Sequence, residues 1–272
     1  MTSTTLKIFH VDAFADRPFA GNPAAVFPLD GPLPEPLMQD IAAQNNLSET
    51  AFFHRQGAGA DGAIYGLRWF TPTVEVELCG HATLASAFVL MTELEPARTE
   101  VSFRTRSGLL VVRRHADLYE LDFPAFPAAT PRQPTAAVAA ALGAAPDEIL
   151  RARSWLAVYP TADAVRALRP DMAALAKLDT SVCVTAPAGE EARDLDFICR
   201  YFAPTAGIPE DPVTGSAFCT LTPYWAGRLR KERLRARQVS RRGGEVFCAV
   251  APDQRIRIAG RARLVIKGDF YC

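Results

Sequence analysis

Short apolar runs with a two-residue period alternate along the chain with longer apolar faces of helical period, and this alternation predicts a mixed α/β protein. Residues 6–13 read as a first strand, and the turn Gly21-Asn22-Pro23 leads into Ala24-Ala25-Val26-Phe27, a short buried strand. Residues 34–46 read as a helix with Leu37, Met38, Ile41 and Ala42 on one face and two Asn at its end. Leu47-Ser48-Glu49-Thr50-Ala51-Phe52-Phe53 turns from that helix into a strand, and 64–70 forms the next. From 81 to 91 the run is apolar on all sides, as in a helix enclosed by a sheet. Residues 101–105 and 109–113 pair as a hairpin about Arg106-Ser107-Gly108, and 119–123 is the last strand of a first half.

The Pro- and Ala-rich stretch 123–134 is the expected linker, so the chain divides into 1–127 and 128–272. Beyond it, 135–142 and 146–151 read as helical, 155–159 as a strand, 162–178 as a helix interrupted at Pro170, and 182–186 and 195–202 as strands. Two stretches repeat one design. Arg68-Trp69-Phe70-Thr71-Pro72-Thr73 runs into Cys79-Gly80-His81-Ala82-Thr83, and Arg200-Tyr201-Phe202-Ala203-Pro204-Thr205 runs into Asp211-Pro212-Val213-Thr214-Gly215-Ser216. Thr105-Arg106-Ser107-Gly108 corresponds to Ser240-Arg241-Arg242-Gly243, and the Phe-to-Gly spacings, 108 − 70 = 38 and 243 − 202 = 41, keep the halves in step. The spacing implies an internal duplication in α/β form. Each copy ends in a tight bend that opens a small-residue helix. With the halves face to face, both helix N-termini would aim free N–H groups into one cleft suited to a carboxylate or phosphate.

Composition changes this picture by exclusion. At 49% hydrophobic and 22% charged residues, the chain has the core of a globular protein, and its zero formal net charge argues against nucleic acid as a partner. The basic cluster at 228–242 reads as a solvated helix and loop. No run reaches the length of a membrane span, and Met1-Thr2-Ser3-Thr4-Thr5 lacks the pattern of a secretion signal, so no membrane partner and a cytoplasmic location are expected. The six cysteines show no C-x-x-C spacing and have apolar neighbours, which predicts reduced buried thiols and no metal site.

Several polar residues stand where chemistry is possible. Glu49 sits at the mouth of an apolar strand: buried there, its carboxyl pKa would rise, whereas at a sheet edge it would simply face water. His81, in the first turn of the enclosed helix, would be held neutral by the positive helix end and is either structural or catalytic. Asp211 would cap its turn or face a ligand. Gly80, Gly215 and Ser216 offer close backbone approach, free N–H groups and a hydroxyl to an anion, and Cys79 is the sole thiol in either bend. Asp12, Asn22 and His10 read as turn formers or buried hydrogen-bond partners.

Four of these motifs in register carry a resemblance. Gly21-Asn22-Pro23-Ala24-Ala25-Val26, Asn46-Leu47-Ser48-Glu49, Phe70-Thr71-Pro72 with Cys79-Gly80-His81-Ala82-Thr83, and Glu210-Asp211-Pro212-Val213-Thr214-Gly215-Ser216 resemble the PhzF-like, phenazine biosynthesis-like isomerase family along essentially the whole chain. The resemblance implies the fold of diaminopimelate epimerase: two pseudo-symmetric α/β halves, each a curved, mostly antiparallel sheet around a central helix, with the active site between them. It implies Glu49 as the proton-transferring carboxylate, puts His81 on the family's Gly-His motif, and implies that Asp211 and Ser216 hold and orient substrate. Taken with the reading of the two bends, His81 and Asp211 are expected as catalytic partners, and Gly80, Gly215, Ser216 and Cys79 as substrate-binding. A biosynthetic isomerase of a small carboxylate, needing no cofactor and forming a homodimer, is the expectation. Two-thiol epimerases carry a cysteine in each bend, but here Pro212 stands at the second position, which disfavours a Cys79-dependent amino-acid racemase. The Cys-Gly-His-Ala-Thr bend also departs from the Gly-His-Pro form associated with the phenazine enzyme and leaves the substrate open. A non-catalytic metabolite-binding protein of the same fold is the remaining alternative.

Overall fold

The computed structural model describes residues 4–59 and 62–272; residues 1–3, part of the stretch on which the lack of a secretion signal was read, lie outside them. In chain order the elements are β1 (Thr5–Ala13), β2 (Asn22–Leu29), α1 (Glu35–Asn45), β3 (Glu49–Gly59), β4 (Gly62–Phe70), β5 (Glu75–Val76), α2 (Gly80–Val89), β6 (Glu100–Thr105), β7 (Gly108–His115) and β8 (Leu118–Pro124). Then come α3 (Ala136–Leu142), β9 (Glu148–Arg151), β10 (Trp155–Val158), α4 (Ala162–Ala167), α5 (Met172–Leu175), β11 (Val182–Pro187), β12 (Phe197–Ala203) and β13 (Ile208–Asp211). A 3₁₀ turn at Gly215–Ala217 leads into α6 (Phe218–Leu229), followed by β14 (Arg233–Gln238), β15 (Gly244–Val250), β16 (Arg255–Gly260) and β17 (Ala262–Tyr271). Among the described residues no helix is long and apolar enough to cross a membrane.

The chain forms two compact units, Met1–Asp122 with Ala259–Cys272, and Phe123–Ile258. Strand for strand they share one topology. In the first, β1 and β2 are antiparallel, β2 and β3 parallel, β3 and β4 antiparallel, β4 and β6 parallel, and β6 and β7 antiparallel. The second repeats this order with β9, β10, β11, β12, β14 and β15. The short strands β5 and β13 lie on β4 and β12 at equivalent places. The repeat extends to side chains. Arg68 grips Glu75 with Nε and Nη2, both at 2.7 Å, and stacks over Phe70; Arg200 grips Glu210 at 2.8 and 3.0 Å and stacks over Phe202. Two forked guanidinium–carboxylate pairs thus tie each aromatic strand end to the short strand before the bend.

In the first unit β2 is buried on both faces. Ala25 and Phe27 pack with Met38, Ile41 and Ala42 of α1, and Phe27 stacks on Phe52 at 5.2 Å between centroids. The alternate residues Ala24 and Val26 turn to the opposite face, where α2 packs against β1, β2 and β3. Helix α2 is enclosed because its side chains are small. Its hydroxyls need no outside partner: Thr83 donates to the Cys79 carbonyl and Ser86 to the Ala82 carbonyl. In the second unit α6 packs against β14 and β15 and carries Pro223 inside it. Proline has no N–H for the carbonyl four residues earlier, and that carbonyl, of Cys219, accepts the Phe126 N–H at 2.9 Å instead.

Two expectations change. Residues 146–151 do not form a helix: Glu148–Arg151 pairs antiparallel with β10, which buries Leu150, so sheet pairing overrides a sequence that begins like a helix. The division at 127/128 assigned the C-terminal residues to the second half, whereas β17 pairs along the whole of β1, from Thr5 with Tyr271 to Ala13 with Ala262. A strand that completes the first sheet belongs to the first unit wherever it stands in sequence.

Candidate active site

The first unit brings Glu49, Cys79 and His81 together, and the Gly21-Asn22 turn supports them. Gly21 has φ +66°, and a Cβ there would stand 2.1 Å from the Ala13 carbonyl oxygen, so only glycine fits. The turn is held from β1, where buried Asp12 accepts the Phe19 N–H at 2.7 Å. Asn22 follows as the first residue of β2, fully buried, with its amide nitrogen 3.3 Å from His81 Nδ1. With the amide N–H donating to Nδ1, the ring proton sits on Nε2.

Nε2 lies 3.3 Å from Glu49 Oε2, without the alignment of a hydrogen bond, so it is a buried polar atom with no hydrogen-bond partner. His81 is 5% exposed, and burial pushes its pKa down to about 3. The contact with Glu49 is therefore one of neutral imidazole with a carboxyl group, not an ion pair. Glu49 is the first residue of β3, in register with Ala24 of β2, and its side chain is 15% exposed. The edge-strand reading, a charge facing water, is excluded by that burial. Cys79 is the N-cap of α2 with no side-chain capping bond, and its buried Sγ lies 3.5 Å from His81 Nδ1. The first intrahelical bond runs from Thr83 N–H to the Cys79 carbonyl, so the N–H groups of Gly80, His81 and Ala82 stand outside the helical ladder.

The second unit gathers Asp211, Gly215 and Ser216 at one bend. Asp211, at the end of β13, is buried and accepts a hydrogen bond from the Thr214 hydroxyl, which makes it part of the turn. Gly215 is buried and Ser216 exposed at the start of the helical run into α6. The residue that holds this bend was not anticipated. Gln238, fully buried at the end of β14, accepts the Thr214 N–H at 2.9 Å and donates to the Asp211 carbonyl at 2.7 Å and the Thr214 hydroxyl at 3.3 Å. Its signal was present, since Leu234, Ala236 and Gln238 alternate inward on β14 and a polar residue on that face must find buried partners.

A metal also becomes possible where cysteine spacing predicted none. Among the described residues, Glu49, Cys79 and His81 form the one group of three or more such donors, with ligand atoms all within 4.8 Å of one another. Spacing rules miss it because the carboxylate stands 79 − 49 = 30 residues before the thiol. A separate cavity of ≈ 430 Å³ in the second unit, lined by Gly143, Asp147, Tyr159 and Arg169 among others, contains none of the candidate residues.

The family model for phenazine biosynthesis-like protein matches residues 11–268. This chain belongs to that family. An uncharacterised isomerase of Pseudomonas aeruginosa is 48% identical over 98% of this chain and 99% of its own length. The crystal structure of a PhzF family phenazine biosynthesis protein from Enterococcus faecalis superposes with a TM-score of 0.92 at 42% identity, covering 99% of this chain and 100% of that one. A hydroxyproline epimerase of Agrobacterium vitis shares the fold, with a TM-score of 0.57 at 12% identity over 98% of this chain and 92% of its own. The two pseudo-symmetric α/β units are thus those of the PhzF and epimerase-like folds, and the chain is an isomerase of its family.

Proposed function

We propose that this isomerase moves a proton between two carbons of a small carboxylate substrate, with Glu49 as the acid/base. The observation that carries the reading is the Glu49 carboxyl, largely withdrawn from water beside a neutral imidazole and a thiol. A base that removes a proton from carbon works best with a pKa near the working pH, and burial is the usual way to raise a carboxyl toward about 6. Glu49 would take a proton from a carbon activated by an adjacent carboxylate or by conjugation and return it to another carbon. His81, neutral and with its tautomer set by Asn22, would donate its Nε2–H to a polar substituent as charge develops there. The N–H groups of the bend at Gly80, which stand outside the helical ladder, would bind an anionic group of the substrate, and the bend at Gly215 and Ser216 offers backbone N–H groups and a hydroxyl of the same kind in its own unit. Asp211 would hold its bend in shape or shuttle a proton.

A two-thiol racemase finds less support. Pro212 stands at the position where two-thiol epimerases carry their second cysteine, and burial pushes the thiol of Cys219, inside the helix beyond, up to about 12. Glu49→Gln keeps shape and hydrogen bonding while removing the titrating proton. Deuterium uptake from heavy water into small carboxylates with an activated C–H, followed by mass spectrometry, should occur with the wild-type protein and vanish in this variant. Uptake at the wild-type rate would show that Glu49 is not the base, and bound carboxylate with no uptake by either protein would leave a metabolite-binding role. Cytoplasmic location and homodimer formation belong to the same proposal; light scattering after size exclusion tests the dimer.

A further inference from the structure

We propose that Glu49, Cys79 and His81 form a binding site for a thiophilic divalent cation, Zn²⁺, which excludes substrate from the Glu49 carboxylate while it is bound. Carboxylate, thiolate and imidazole are the three donor types zinc prefers, and three protein donors leave a fourth position for water, the arrangement of an open zinc site. Bond lengths to these donors of about 2.0 to 2.3 Å require tetrahedral donor–donor separations of roughly 3.3 to 3.8 Å. His81 Nε2 and Glu49 Oε2 already stand 3.3 Å apart, and Glu49, Cys79 and His81 each place a ligand atom within 4.8 Å of the other two.

A second observation points to a ligand independently of this spacing. His81 Nε2 is buried without a hydrogen-bond partner, and it faces the carboxylate rather than the helix. Coordination through Nε2 requires the other tautomer, with the proton on Nδ1. Asn22 can accept that proton's hydrogen bond once its amide turns its oxygen to the ring, the kind of outer partner that fixes a metal-bound histidine. The Cys79 thiol proton passes to buffer as the sulfur becomes a thiolate ligand. The site does not depend on the proposed acid/base role of Glu49; its inhibitory consequence does.

The experiment uses the full chain, stripped with chelator and titrated with Co²⁺ and then Zn²⁺. One Co²⁺ per chain should bind with the charge-transfer absorption of a cobalt–thiolate bond, and Zn²⁺ should abolish that absorption at equal stoichiometry. Zn²⁺ should also protect Cys79, and not the exposed Cys272, from alkylation mapped by mass spectrometry. Cys79→Ser should lose the absorption, and each of Cys79→Ser, His81→Gln and Glu49→Gln should bind Zn²⁺ about tenfold or more weakly. Absence of the cobalt–thiolate absorption in the folded wild-type protein overturns the site without recourse to any variant. So does undiminished Zn²⁺ binding by Cys79→Ser. Zinc bound at Cys79 with deuterium exchange unaffected would uphold the site and sink the role of Glu49 as base, so the two readings fail separately.

Discussion

His81 shows how a residue's surroundings decide its charge. Its folded-state pKa, about 3, lies below the 6.5 of an unburied imidazole, so the unfolded chain takes up the proton first as pH falls. Stability contributed by the neutral ring is complete above about pH 6.5 and is lost progressively toward pH 3. At pH 5 this one group should cost about 2 kcal/mol relative to pH 7.5. Urea unfolding of wild type and His81→Gln at the two pH values checks it: the wild type should lose about 2 kcal/mol more than the variant. An equal loss in both would mean that the imidazole is not held neutral. Cys79 invites a kinetic prediction. If it lines the site without carrying the proton, Cys79→Ser should keep at least about a tenth of the exchange rate, whereas general acid–base groups contribute roughly 100- to 10,000-fold. A thousandfold fall would restore the racemase reading.

At the scale of elements, the bend before α6 is stabilised from a strand far away in sequence. Gln238 of β14 satisfies a backbone N–H at Thr214 and a backbone carbonyl at Asp211, while Ser240 donates to the Pro212 carbonyl at 2.8 Å. Gln238→Leu fills nearly the same volume but leaves those two buried groups without their bonds, at about 1 to 3 kcal/mol each. Chemical denaturation should show a loss of roughly 2 to 6 kcal/mol; a change within the noise would mean that the bend holds its shape by other contacts. Helix α2 was legible because small apolar residues on every face leave no solvent side. Strand β9 was not: Pro146-Asp147-Glu148 suits a helix start, and only the neighbouring β10 offers the ladder that makes a strand.

At the scale of the whole molecule, the first unit is closed by the end of the chain. The ladder between β1 and β17 spans both strands, and the terminal backbone adds the bonds Thr4 N–H to the Cys272 carbonyl at 2.6 Å and Cys272 N–H to the Thr4 carbonyl at 3.0 Å. A chain ending at residue 261 exposes the buried Val11, Ala13 and Phe9 side of β1 to an unpaired edge. It should be recovered as an insoluble or non-cooperatively unfolding protein, and a sharp unfolding transition with wild-type midpoint would contradict this role of β17.

What the sequence by itself determined was whatever rests on near neighbours: periodicity, turns and repeated motifs. Two aromatic strand ends with Pro turns and Gly bends at matched spacing imply a duplication, and Gly21 marks a backbone path closed to any side chain. Those features also carried the resemblance that points to Glu49. Tertiary structure alone decided which distant residues meet. Nothing local to Glu49 distinguishes a buried carboxyl from an edge charge; the answer came from the parallel pairing of β3 with β2 and from α2, which brings His81 and Cys79 alongside. The mixed donor set, the hold of Gln238 on its bend and the place of β17 follow the same rule. Each is a contact between segments far apart in the chain, formed because burial leaves a polar group or a strand edge no solvent to satisfy it.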